Sequence, residues 1–361
     1  MNQTFVASQF KLALSRTAFL IVLGMLSLAT TLPNGKPALQ RSGGERHLKN
    51  LRQLTFGGEN AEAYFSFDGT RLIFQSARDG YACDQIYTMD LEGGNVRRVS
   101  TGKGRTTCSY FLPDGKHFIY SSTHLGGDQC PPKPDFSKGY VWAIDKNFDI
   151  FLSDFEGNLT RLTRTPGYDA EATVSPDGKR IVFTSVRDGD LELYSMNTDG
   201  SGVKRLTHTL GYDGGAFFSP DNRKIVYRGA HPTDPAVIAR YKELLTQGLI
   251  EPGELELYVM DADGSNSVQI TRNRAANFCP FFHPNGKQII FASNVGDPKG
   301  RNFDLYLINL DGTGLEQVTT NETFDGFPMF SPDGKKLVFA SNRNGKVRGE
   351  TNVFIADWVD E

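Results

Sequence analysis

Six polar residues share one register in this sequence. Asn60, Thr106, Asp169, Asp213, Asn277 and Asp325 each stand eight residues before the second position of a recurring turn tetrad. Tyr168, Tyr212 and Phe324 immediately precede three of them, and Glu62 and Glu171 follow two residues on. Acids converging on a low-dielectric channel mouth would create a negative field favouring a cation, an ammonium group or a basic peptide. Arg105, beside Thr106, interrupts the acids and could orient a carboxylate. The competing reading is structural, because Asp and Asn at loop positions bond their own backbone in Asx-turns.

Other chemistry is sparse. No Gly-x-Ser-x-Gly elbow and no phosphate-cradling glycine loop occurs. The six histidines show no metal-ligand spacing, which leaves His124, His208 and His231 as weak candidates for a His–acid metal site. The stretch from Asp261 to Gly264 looks calcium-like, yet the twelfth position of such a loop is Arg272, not an acid, so it reads as a turn. No cofactor is expected.

The elements that must position these residues come from a repeat. The tetrad Pro-Asp-Gly-Lys and its variants have their second residue at Asp68, Asp114, Asp177, Asp221, Asn285 and Asp333, spaced 46, 63, 44, 64 and 48 apart. Each tetrad leads into an apolar run such as RIVFTS, then a second such as ELYSMN. Five repeats continue through a Gly turn to a short fourth run such as VKRLT. Alternating runs broken by Asp-Gly turns are antiparallel hairpins. Each unit reads as a four-stranded meander, A to D from the axis outward, and six units make an all-β, six-bladed propeller. The sixth unit lacks its fourth strand. Residues 51–55, LRQLT, supply it and close the ring beside 353–356.

Topology assigns faces. The A–B and C–D turns are tight and share one face, while the B–C and D–A loops share the other. Two insertions, 123–146 and 231–254, both fall between strands B and C, marking that face as the working one. In the second, Asp234 caps a helix, Pro235 opens it and Gly248 stops it, with Ile238, Tyr241 and Leu245 on one side. All four cysteines fall on this face. Cys83, Cys108 and Cys130 lie in adjacent blades, so any pair is feasible, and Cys83 with Cys130 is the preferred disulfide.

The repeat resembles the TolB-type β-propeller repeat, whose mark is Ser-Pro-Asp-Gly-Lys/Arg followed by an Ile-Val/Tyr-Phe/Tyr strand. The resemblance spans 51–357 without an N-terminal α/β domain of the kind TolB carries. It implies the fold. Such repeats also build the non-catalytic propellers of prolyl oligopeptidase-type enzymes and some polysaccharide lyases, of which some hold a metal by His and acids.

Composition bounds the function. There are 39 Lys+Arg against 42 Asp+Glu, a net charge of −3, which excludes a bulk nucleic-acid binder. An apolar content of 39% excludes a disordered chain. Lys11 and Arg16 precede an apolar run at 17–29, so 1–32 reads as a secretory signal peptide and 33–50 as a linker. An uncleaved N-terminal anchor is the alternative. The mature chain is expected to be a periplasmic or secreted monomer, with no membrane span, that binds a protein, peptide or glycan without catalysis. The alternative is a propeller lyase or hydrolase, possibly metal-dependent, with its site at the channel mouth.

Overall fold

The computed structural model describes residues 44–297 and 299–360. The expected signal peptide and most of the linker lie outside the described residues. Six four-stranded antiparallel sheets are arranged as blades, with innermost strands Glu59–Phe65, Thr106–Phe111, Asp169–Val174, Tyr212–Phe218, Asn277–Phe282 and Asp325–Phe330. Among the described residues, no helix is long and apolar enough to cross a membrane.

The tetrads make the A–B turns by side-chain chemistry. In the third blade Ser175 Oγ donates to Asp177 Oδ1 (2.7 Å), and that oxygen accepts the Lys179 amide (3.2 Å). Ser175 Oγ also accepts the Arg180 amide (2.9 Å). Gly178 adopts φ +70°, a left-handed turn that glycine enters without steric cost. The same bonds recur from Ser66, Ser219 and Ser331. Strands B are continuously buried, as in Arg180–Ser185, because neighbouring blades cover both faces. In every blade an aromatic of strand B faces one of strand C, from Phe74–Tyr87 to Phe339–Phe354, with ring centroids 5.3–6.2 Å apart. Each such pair adds about 0.5–1.5 kcal/mol beyond area burial.

Strand D is fastened by a hydroxyl. Ser100, Thr163, Thr207, Thr271 and Thr319 each accept a strand C amide at 2.8–3.0 Å. The sixth fastening comes from the other end of the chain, where Thr55 accepts the Val353 amide (2.8 Å). There Leu48–Gln53 pairs antiparallel with Asn352–Trp358, with Arg52 opposite Ile355 and Gln53 opposite Phe354. The ring is therefore closed by its N-terminal strand, which begins at Leu48. His47 stacks on Trp358 with centroids 4.6 Å apart.

The insertions do not stand apart. Trp142–Ala143 and Leu249–Ile250 pair as a two-stranded sheet, extended by Ile144 N donating to Gly248 O (2.7 Å). The helix is Pro235–Thr246, capped by Asp234, which accepts from the Ala236 and Val237 amides. It buries Leu244 against Val141 of the first insertion and Leu249. Ile144 and Ile250 pack with Tyr168, Ala170 and Leu191 of the third blade. Blades two and four are thus bridged over blade three. Cys83 and Cys130 form a disulfide (Cα–Cα 5.8 Å) that ties the first insertion back to blade one. Cys108 and Cys279 are free.

Candidate functional site

Every innermost strand breaks register with its partner, and each break holds a residue in the left-handed region. These residues are Glu62, Cys108, Glu171, Gly215, Cys279 and Phe327, with φ of 51–58°. A bulge places two residues against one and re-aims a side chain. Here it brings all six positions onto the lining of one axial cavity of about 890 Å³. Five are not glycine, so the ring holds strain of roughly 1–3 kcal/mol per residue.

The cavity is a cup with one opening. Two residues beyond the bulges, Tyr64 lies 5.5 Å from Tyr110 and 5.7 Å from Phe217, and Phe217 lies 5.3 Å from Phe281. Blades one and four stand opposite each other, so the Tyr64–Phe217 contact closes the axis towards the tetrad face. The wall and rim are aromatic. Phe278, Phe303, Phe324 and Phe327 touch one another on one side, and Tyr140 and Trp142 of the first insertion stand on the other. Tyr140 is 68% exposed.

Two of the charged groups in the wall, Arg228 and Glu171, are paired off. Arg228, only 8% exposed, donates to Tyr212 Oη from Nε (3.0 Å) and Nη2 (2.6 Å). Its Nη2 also meets Glu171 Oε1 at 3.2 Å, and its guanidinium lies 5.3 Å from the Trp142 ring. Glu171 further accepts from Tyr212 Oη, Tyr168 Oη, Thr184 Oγ1 and the Gly215 amide. Gly214 and Gly215 make room for this network. A Cβ on Gly214 would collide with Tyr212 and Glu171, and one on Gly215 would sit 2.8 Å from Arg228.

Glu62 has no such closure. Burial pushes its carboxyl up to about 7, with the Glu171 charge adding to the rise. A hydrogen bond with Cys108 and the Arg228 charge act the other way. Burial, then Glu62, also raises the Cys108 thiol, keeping it neutral.

The ring expected at the mouth lies elsewhere. Asn60, Thr106, Asp169, Asp213, Asn277 and Asp325 are at most 1% exposed, and none lines the cup. They stand two residues ahead of the bulge, turned into the blade and its loops. Asn60 Nδ2 donates to Thr351 O (2.9 Å), Thr106 Oγ1 to Asp84 O (3.1 Å) and Asn277 Nδ2 to Leu255 O (2.8 Å), each reaching the preceding blade. Asp169, Asp213 and Asp325 pair with Arg187, His231 and Arg343 at 2.8–3.0 Å. They act as pins between elements, which is the structural reading of the same pattern.

Glu62, Glu171, Arg105, Tyr168 and Phe324 do line the cup, while Tyr212 reaches it through Glu171. The three histidines are scattered. His124 bonds Ser122 Oγ (2.8 Å), His231 holds Asp213, and His208 is exposed. Among the described residues, no three His, Cys, Asp or Glu side chains are grouped to hold a metal. Sequence reasoning missed Cys108, Cys279 and Phe327 as wall residues, and Arg228 altogether. Arg228 had a signal: it is the one charge at a strand B position where other blades carry Gln75, Ser121, Thr184, Ala292 and Ala340.

Fold and site together define a six-bladed propeller with a one-ended axial cup. Residues 133–243 match the family model described as the TolB beta propeller domain. The Tol-Pal system protein TolB of Bordetella pertussis is 26% identical over 214 residues, 48% of this chain and 46% of that protein. Among solved structures, a putative TolB from Agrobacterium tumefaciens superposes with a TM-score of 0.58 at 21% identity, covering 86% of this chain and 94% of that one. An oligogalacturonate lyase in complex with manganese reaches 0.53 at 16% identity, covering 86% and 93%. At these identities the structures speak for the fold. The chain is a six-bladed β-propeller similar to TolB-type propellers. It spans less than half the length of the curated relatives it matches.

Proposed function

We propose that this is an exported, periplasmic or secreted, non-catalytic propeller that takes a segment of a protein partner into the axial cup. The carrying observation is the cup itself: about 890 Å³, open on the insertion-bearing face and floored by Tyr64 and Phe217. Its four-phenylalanine wall offers no hydrogen bonds, which suits apolar side chains better than the hydroxyls of a glycan. The disulfide Cys83–Cys130 supports an oxidising compartment.

The test is a random peptide library selected on the folded protein. Selected peptides should lose affinity about tenfold, ~1.4 kcal/mol, on Phe324→Ala and on Tyr140→Ala. Tyr140 is exposed, so its loss leaves the fold intact. Peptides indifferent to both substitutions would refute the cup as the binding site.

A further inference from the structure

Resting on the cup reading, we infer that Glu62 seats a primary ammonium group at the leading end of the ligand. The argument is one of charge accounting at the level of the bulge ring. Three charged side chains stand there. Arg228 and Glu171 are paired at 3.2 Å, and Tyr212, Tyr168, Thr184 and the Gly215 amide occupy the rest of Glu171. Glu62 is left with the Cys108 thiol, a weak donor, and no ion pair joins it to a Lys, Arg or His among the described residues.

The groups that face Glu62 are known from every side. Tyr64 is on its own strand, Cys108 on blade two, Glu171 on blade three, Arg228 on blade four and Cys279 on blade five, while Asp84 adds negative charge. Of these only Arg228 is cationic, and it is already engaged; Arg105 and Arg301 also line the cup, but neither makes an ion pair with Glu62 among the described residues. Below lies the aromatic floor, which supplies no counter-charge. A countercharge must therefore enter from the mouth. No three-ligand set for a metal exists among the described residues, so an organic cation fits better. A closed floor accepts the end of a chain, not a threaded one. Phe278, Phe327 and Trp142 can flank an apolar stem behind a small cationic head.

Phenethylamine and its neutral analogue 2-phenylethanol probe this directly, by ligand-observed NMR titration. The amine remains charged across the range used. At about pH 8.5 Glu62 is ionised, and the amine should bind about tenfold more tightly than the alcohol. At about pH 5.5 Glu62 is protonated, and the preference should vanish. It should also vanish in Glu62→Gln, with alcohol affinity retained. Equal binding of the two probes at the higher pH, or a preference that survives Glu62→Gln, overturns the ammonium seat while leaving the cup reading standing. If neither probe binds, both fall. At about pH 7.5, where Glu62 is largely ionised and an α-amino group still largely charged, N-acetyl-lysyl-phenylalanine amide and phenylalanyl-glycine amide separate a lysine side chain from an N-terminus as the source, and preferential binding of either supports the seat.

Discussion

At the scale of residues, the cup depends on strained, desolvated groups. Glu62 pays for its position, since a carboxyl raised to about 7 is disfavoured in its ionised form inside the fold. The unfolded chain ionises near 4.5, so the penalty is absent below that value, grows through the interval and is complete above about 7. Glu62→Gln should therefore stabilise the protein by roughly 1–3 kcal/mol at about pH 8 and leave stability near pH 4 unchanged. Urea denaturation at the two pH values checks this, and a variant no more stable at the higher pH contradicts it. The recurring register at Asn60, Asp169 and Asp325 was plain in the sequence. Which members of it face the axis was not. The left-handed bulge residue shifts the inward position by two, and bulges leave no mark when Glu, Cys, Gly and Phe all occupy them.

At the scale of elements, the helix of the second insertion was readable because its start and stop are local: Asp234, Pro235 and Gly248 act within one turn. The pairing of Trp142–Ala143 with Leu249–Ile250 was not readable, since two residues a side carry no periodicity and their partner lies about a hundred residues away. The disulfide matters most here. Cys83 and Cys130 are 47 residues apart, and closing a loop of that size contributes about 2–4 kcal/mol through the unfolded state. Cys130→Ser should lose stability of that order and speed protease cleavage within 123–146, while Pro235–Thr246 stays protected. Limited proteolysis with mass mapping reads both, and unchanged cleavage would show the insertion to be held by packing alone.

At the scale of the whole molecule, the six tetrads and the missing fourth strand of the last repeat were enough to deduce a closed ring. Closure also removes an edge. Without Leu48–Gln53, Asn352–Trp358 would present unpaired backbone groups, a template for pairing with another chain. Deleting the chain up to Gln53 should raise amide exchange in Asn352–Trp358 and produce species in sedimentation larger than those of the intact chain. A deletion that sediments like the intact chain, with protected amides, would mean closure contributes little.

That closure also sets a timetable. Thr55 must find Asn352, 297 residues away, before the final blade exists. At synthesis rates of about 5–20 residues per second, the first ordered strand waits roughly 15–60 s for its partner. A chain still emerging, whether from the ribosome or through a translocation pore, therefore cannot complete its native disc. Delivery of Asn352–Trp358 is the event that lets the fold lock.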